Sequence, residues 1–129
     1  MEKFRVLVVD DEVDFLETIV KRLQDRNLEV SGVESGEAAL KFIDGQEVDV
    51  VVLDVRMPGL DGIDTLKEIK KRKPLIEVIM LTGHASVESG IQGMQLGAFD
   101  YVMKPVPLDE LLDKMRQAYE RKLLQEGKV

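Results

Sequence analysis

The chain has 129 residues, 44% of them hydrophobic and 33% charged, which suits the core of a single domain and argues against a disordered segment. It has no cysteine, so disulfides and thiolate metal sites are excluded, in keeping with a reducing compartment. The net charge of −7 is uneven: residues 1–64 carry 16 acids against 7 bases and residues 65–129 carry 9 against 11, with no basic stripe suited to nucleic acid.

The N-terminal run MEKFRVLVVDDE meets acids at once and has no small-residue cleavage site, so no secretory leader is expected. No apolar run approaches the roughly 18–20 residues of a membrane helix, and a cytoplasmic location is expected. The first element is Arg5–Val9, a short, nearly all-apolar run typical of a strand buried on both faces. Val13, Leu16, Ile19, Val20 and Leu23 then recur at helical spacing. Leu28–Val33 reads as extended, and Ser35 as the N-cap of a helix carrying Ala38, Ala39, Phe42 and Ile43 and ending at Gly45.

Val48–Leu53 is a second buried strand run. Ile63, Leu66 and Ile69 mark a third helix that Pro74 stops, and its basic run Lys67, Lys70, Lys71, Arg72, Lys73 suits a helix C-terminus. Leu75–Leu81 reads as the fourth strand, Ser86–Leu96 as the fourth helix, Phe99–Met103 as the fifth strand. A long amphipathic helix follows through Leu108, Leu111, Leu112, Met115 and Tyr119 to about Leu124. Strict alternation of this kind predicts an α/β domain with a parallel sheet and right-handed crossovers. The fourth helix is weak, with Gly90 and Gly93 inside it and a thin stripe of Val87, Ile91 and Met94. Two readings stay open: the glycines admit a closely packed neighbour, or they leave the helix easy to shift.

In doubly wound sheets, ligands sit beyond the carboxyl ends of the strands. Those ends carry Asp10 and Asp11, Asp54, Thr82, and Lys104–Pro105. Carboxylates gathered there repel one another unless a cation joins them. Oxygen donors without histidine or cysteine point to Mg²⁺, with Mn²⁺ as a substitute. A carboxylate held against such an ion is a nucleophile toward phosphorus. Lys104 would neutralise a phosphoryl group, and the Thr82 hydroxyl would donate a hydrogen bond to it.

The stretches VLVVDDE, VVLDVRMPGLDG, VIMLTGHAS and GAFDYVMKP, in this order and spacing, resemble the receiver domain of two-component response regulators over about residues 3–123. The resemblance implies a flavodoxin-like (βα)5 fold with a five-stranded parallel sheet in the order 2-1-3-4-5. It implies Asp54 as phosphoacceptor, Asp11 and Asp54 as direct metal ligands, Asp10 as a ligand through water, and the backbone carbonyl of Arg56 as a further ligand. Thr82 and Tyr101 match switch residues, and Lys104 the phosphoryl-binding lysine, with the Lys104–Pro105 bond cis. Met57-Pro58-Gly59 reads as a tight turn beside the site. Arg56 and His84, each two residues past a key position, are candidates for setting the lifetime of the phosphoryl group.

The implied partners are a histidine kinase or phosphotransfer protein as donor, a second copy on phosphorylation, and an output domain or protein; neither direct nucleic-acid contact nor a membrane is expected. Residues 1–124 are expected to form the receiver domain and 125–129 a tail or the start of a linker. Such a domain acts on itself and is not an enzyme with a separate turnover substrate. A haloacid-dehalogenase-like phosphatase would need a second acid where Arg56 stands, and a nucleotide-binding domain a glycine-rich loop where DDEVD stands. A non-phosphorylated interaction module is the remaining alternative.

Overall fold

A computed structural model of the chain describes residues 3–57, 59–83 and 87–127. The apolar runs resolve into β1 (Arg5–Val9), α1 (Val13–Gln24), β2 (Glu29–Val33), α2 (Gly36–Gly45) and β3 (Val50–Asp54). They continue with α3 (Gly62–Arg72), β4 (Glu77–Thr82), α4 (Val87–Gln95), β5 (Asp100–Met103) and α5 (Leu108–Gln125). The strands form one parallel sheet in the order β2-β1-β3-β4-β5, the flavodoxin-like arrangement expected.

Alternation along each strand feeds two cores. Val6, Val8, Val50, Val52, Ile79, Leu81 and Val102 meet α1 and α5 through Leu16, Ile19, Leu23, Leu111, Leu112 and Met115. Leu7, Val9, Val51, Leu53, Val78 and Met80 meet α2 and α3 through Ala39, Leu40, Ile43, Leu66 and Ile69. Every residue of β3 and β4 is buried, which is why those runs lack polar alternation. Two helix starts are fixed by side chains. Ser35 Oγ accepts from the Ala38 N–H at 3.1 Å, and Asp61 Oδ1 from the Asp64 N–H at 2.9 Å.

Several expected boundaries shift. Leu28, Val48 and Ile76 are buried yet lie outside the strands, because burial alone marks them while the ladder begins one or two residues later. Gly45 is the last residue of α2 and Gln46, in extended backbone, caps it. Val13 is 42% exposed and lies off the buried stripe of α1. In α4, Ile91 and Met94 face solvent and the glycines face the sheet, the reverse of the expected stripe. Pro58 of the expected turn, Ser86 at the expected helix start and the side chain of Val87 lie outside the described residues.

The amino ends of the strands hold a separate set of charges. Asp49 accepts from the Arg5 N–H at 2.8 Å and pairs with Lys122 at 3.0 Å, tying β1, the start of β3 and the last turns of α5 together. Buried Glu77 pairs there with Arg121 at 2.5 Å and with Lys70 at 3.7 Å. No helix among the described residues is long and apolar enough to cross a membrane.

Candidate functional site at the carboxyl edge of the sheet

β1 and β3 lie side by side with Val9 opposite Leu53, so Asp10 and Asp54 emerge together at the carboxyl edge. From there the chain departs to opposite faces, α1 against one core and α3 against the other, which opens a crevice above the strand ends. Asp54 is the last residue of β3 and is 6% exposed. The start of α3 closes in behind it. A Cβ on Gly62 would lie 2.4 Å from the Asp54 carbonyl oxygen and 2.6 Å from Val55 Cα, so only glycine permits that approach.

The neighbouring strand ends bring the rest. The Val55 N–H donates to the Leu81 carbonyl at 3.0 Å and the Lys104 N–H to the Thr82 carbonyl at 2.7 Å, so β3, β4 and the segment after β5 end level. The Lys104–Pro105 peptide is cis, as expected. Lys104 Nζ lies 3.0 Å from Asp10 Oδ2, 3.1 Å from Glu12 Oε1 and 3.5 Å from Asp54 Oδ1, and 4.7 Å above the Phe15 ring. One ammonium therefore serves three carboxylates.

That arithmetic governs the protonation states. Burial and then the charge of Asp10 push the Asp54 carboxyl up to about 6, against the opposing pull of Lys104 and the Arg56 N–H. Burial likewise raises Asp10, although the Glu12 N–H donates to it at 2.9 Å and Lys104 pairs with it. Burial works to lower Lys104, but its hydrogen bonds to Asp10 and Glu12 and the charge of Asp54 outweigh it, and the ammonium is held.

The pocket is short of positive charge, and its donors suit a hard cation. Asp10, Glu12 and Asp54 each present a carboxylate oxygen, all within 4.8 Å of one another. Asp11, expected as a ligand, is exposed and stands outside that group. Glu12 joins Asp10 and Asp54 in that group, and sequence reasoning passes over it. The cue is its position directly after the acid pair, where it precedes α1 without making a side-chain cap.

Thr82 ends β4 fully buried, and its Oγ1 has no hydrogen-bond partner among the described residues. Tyr101 lies on β5 opposite Met80, half-buried against the core on the α3 side. Arg56 is exposed beside the pocket, and its N–H reaches the Asp54 carboxylate. His84 lies outside the described residues.

Residues 6–116 match the family model of the response regulator receiver domain. The DNA-binding transcriptional regulator NtrC of Escherichia coli (strain K12) is 35% identical over 118 residues, covering 92% of this chain and 25% of that protein. A response regulator receiver domain protein from Clostridium thermocellum superposes with a TM-score of 0.90 at 39% identity, covering 95% of this chain and 98% of that one. NtrX from Brucella abortus superposes with a TM-score of 0.92 at 33% identity, covering 98% of this chain and 29% of that one. The chain thus spans about a quarter of the length of the curated relatives it matches.

Proposed function

The chain belongs to the response regulator receiver domain family, and from that premise we propose that it is a phosphorylation switch whose acceptor is Asp54. The observation that carries this reading is the buried Asp54 carboxylate, 3.5 Å from Lys104 and beside Asp10 in a pocket short of positive charge.

In the proposed reaction an Asp54 oxygen forms a bond to phosphorus as the bond from phosphorus to the donor breaks. The donor is the phosphorylated imidazole of a histidine kinase or phosphotransfer protein, and the imidazole leaves. Lys104 exchanges one of its carboxylate contacts for a phosphoryl oxygen, and the Thr82 hydroxyl, unpartnered among the described residues, donates to another. Mg²⁺, or Mn²⁺ in its place, would be held by Asp54, Asp11 and the Arg56 carbonyl, with Asp10 acting through water and Glu12 close by. When bound it would supply the positive charge that offsets the incoming phosphoryl oxygens. Arg56 and His84 are proposed to set the lifetime of the product. Unchanged hydrolysis in both Arg56→Ala and His84→Ala would refute that part.

The output is a binding event. Movement of Thr82 toward the phosphoryl group and of Tyr101 inward would shift α4, β5 and α5, altering a face read by an output domain, a partner protein or a second copy. The domain acts on itself and has no separate turnover substrate. Incubation with Mg²⁺ and acetyl phosphate, followed by intact mass measurement, tests the proposal. A gain of about 80 Da, one phosphoryl group, is expected with the metal and not with chelator. An unchanged mass under both conditions contradicts it.

A further inference from the structure

Among its described side-chain positions, helix α4 meets the sheet through glycines. Among its described positions only Gly90 and Gly93 are buried, while Ile91 and Met94 are 48% and 39% exposed. The two glycines rest on different neighbours. A Cβ at Gly93 would meet Met80 Cγ at 3.1 Å and Leu66 Cδ2 at 3.6 Å, both on flexible unbranched or end-branched chains. A Cβ at Gly90 would lie 2.9 Å from Thr82 Cγ2, and 3.3 Å and 3.4 Å from Cγ and Cδ2 of the Tyr101 ring. Gly90 therefore sits against both proposed switch residues at once.

Thr82 carries its hydroxyl and its methyl on one Cβ, so a single torsion moves both. Oγ1 is buried, and among the described residues no hydrogen bond opposes that rotation. If Oγ1 turns toward a phosphoryl group, Cγ2 must leave its place under Gly90. We infer that Gly90 is the positioning residue through which α4 reads the state of Thr82 and Tyr101. Bare backbone at this position lets α4 settle while the Thr82 methyl faces it, and the rotation of Thr82 removes the support on which it settled. The inference rests on the reading of Thr82 and Tyr101 as the switch.

A methyl at position 90 overlaps Thr82 Cγ2 in the present arrangement and favours the arrangement in which Cγ2 has moved. In the full chain with Mg²⁺, amide NMR spectra of Gly90→Ala are expected to move at α4 and Tyr101 in the direction that beryllofluoride, a phosphoryl mimic, moves them in wild type. Affinity for beryllofluoride is expected to rise by about fivefold, since the mimic no longer works against the resting arrangement. Gly93→Ala brings the same gain in helix propensity and is expected to do neither. Adding Thr82→Ser to Gly90→Ala removes the overlapping methyl, keeps the hydroxyl and is expected to restore the wild-type spectrum.

Unmoved spectra in Gly90→Ala, weaker binding of the mimic, or equal effects from Gly93→Ala would overturn the inference. If Gly90→Ala unfolds, rescue by Thr82→Ser supports the contact and failure of rescue overturns it. A wild-type α4 that ignores beryllofluoride sinks the switch reading and this inference together. A wild-type α4 that responds while Gly90→Ala stays at rest sinks this inference alone.

Discussion

Asp54→Asn should make the metal-free protein more stable. The Asp54 side chain is 9% exposed and its carboxyl is pushed from 3.8 up to about 6, so above that pH the fold holds a charge it disfavours. A shift of about 2 pH units corresponds to roughly 3 kcal/mol at about 1.4 kcal/mol per unit. Asparagine keeps the shape, removes the charge and still offers an oxygen to the Arg56 N–H, but it gives up the pairing with Lys104. A net gain of about 2 kcal/mol is expected at pH 8, or about 6–10 °C in Tm for a domain of this size. The sign follows from a raised folded-state value. The penalty is full above pH 6, falls away as Asp54 takes up its proton, and is gone near pH 4, so the advantage of asparagine should vanish in acid. Thermal melts followed by far-UV circular dichroism, with chelator, at pH 8, 6 and 4.5 measure this. Millimolar Mg²⁺ should stabilise wild type and leave the variant little changed, narrowing the gap. Equal stability at pH 8, or a gain undiminished at pH 4.5, would refute the electrostatic account of the pocket.

Lys104→Ala leaves Asp10, Glu12 and Asp54 without their shared cation and should cost about 1–2 kcal/mol at pH 8, a deficit that shrinks as the acids protonate and that urea titrations at two pH values detect. Gly62→Ala places a methyl against the backbone of Asp54 and Val55, which cannot yield as a side-chain tip would. A loss of about 3 kcal/mol or more is expected, together with slower phosphorylation by acetyl phosphate. Asp49→Ala removes the carboxylate shared by Arg5 and Lys122; with Arg5 41% exposed and able to reach water, the expected loss in chemical denaturation is about 2–3 kcal/mol.

Much of the fold is written in local pattern. RVLVV and VVVLD are legible as strands because the stretches of a parallel strand buried on both faces are apolar without alternation, and Ser35 announces α2 because its hydroxyl serves the Ala38 N–H. Strand starts are less legible. Val48 and Ile76 are buried like strand residues, and only the hydrogen-bond ladder, a pairing between distant segments, separates them from Val50 and Glu77. The site divides in the same way. Asp10, Asp54, Thr82 and Lys104 are legible because each closes a strand and the topology gathers strand ends. Glu12 escapes because its partner Lys104 is 92 residues away in sequence. The inward face of α4 is half legible: helical periodicity wrongly points Ile91 and Met94 at the core, while of the two open readings of its glycines the close-packing one holds, with Thr82 and Tyr101 against Gly90.

The most direct test of Asp54 as acceptor is chemical trapping. The protein is treated with Mg²⁺ and acetyl phosphate, reduced with borohydride, which converts an aspartyl phosphate to homoserine, and sequenced by tandem mass spectrometry. Homoserine at position 54, absent when the donor is omitted, is the predicted result. Homoserine at Asp10, Asp11 or Glu12 with Asp54 unmodified would contradict it.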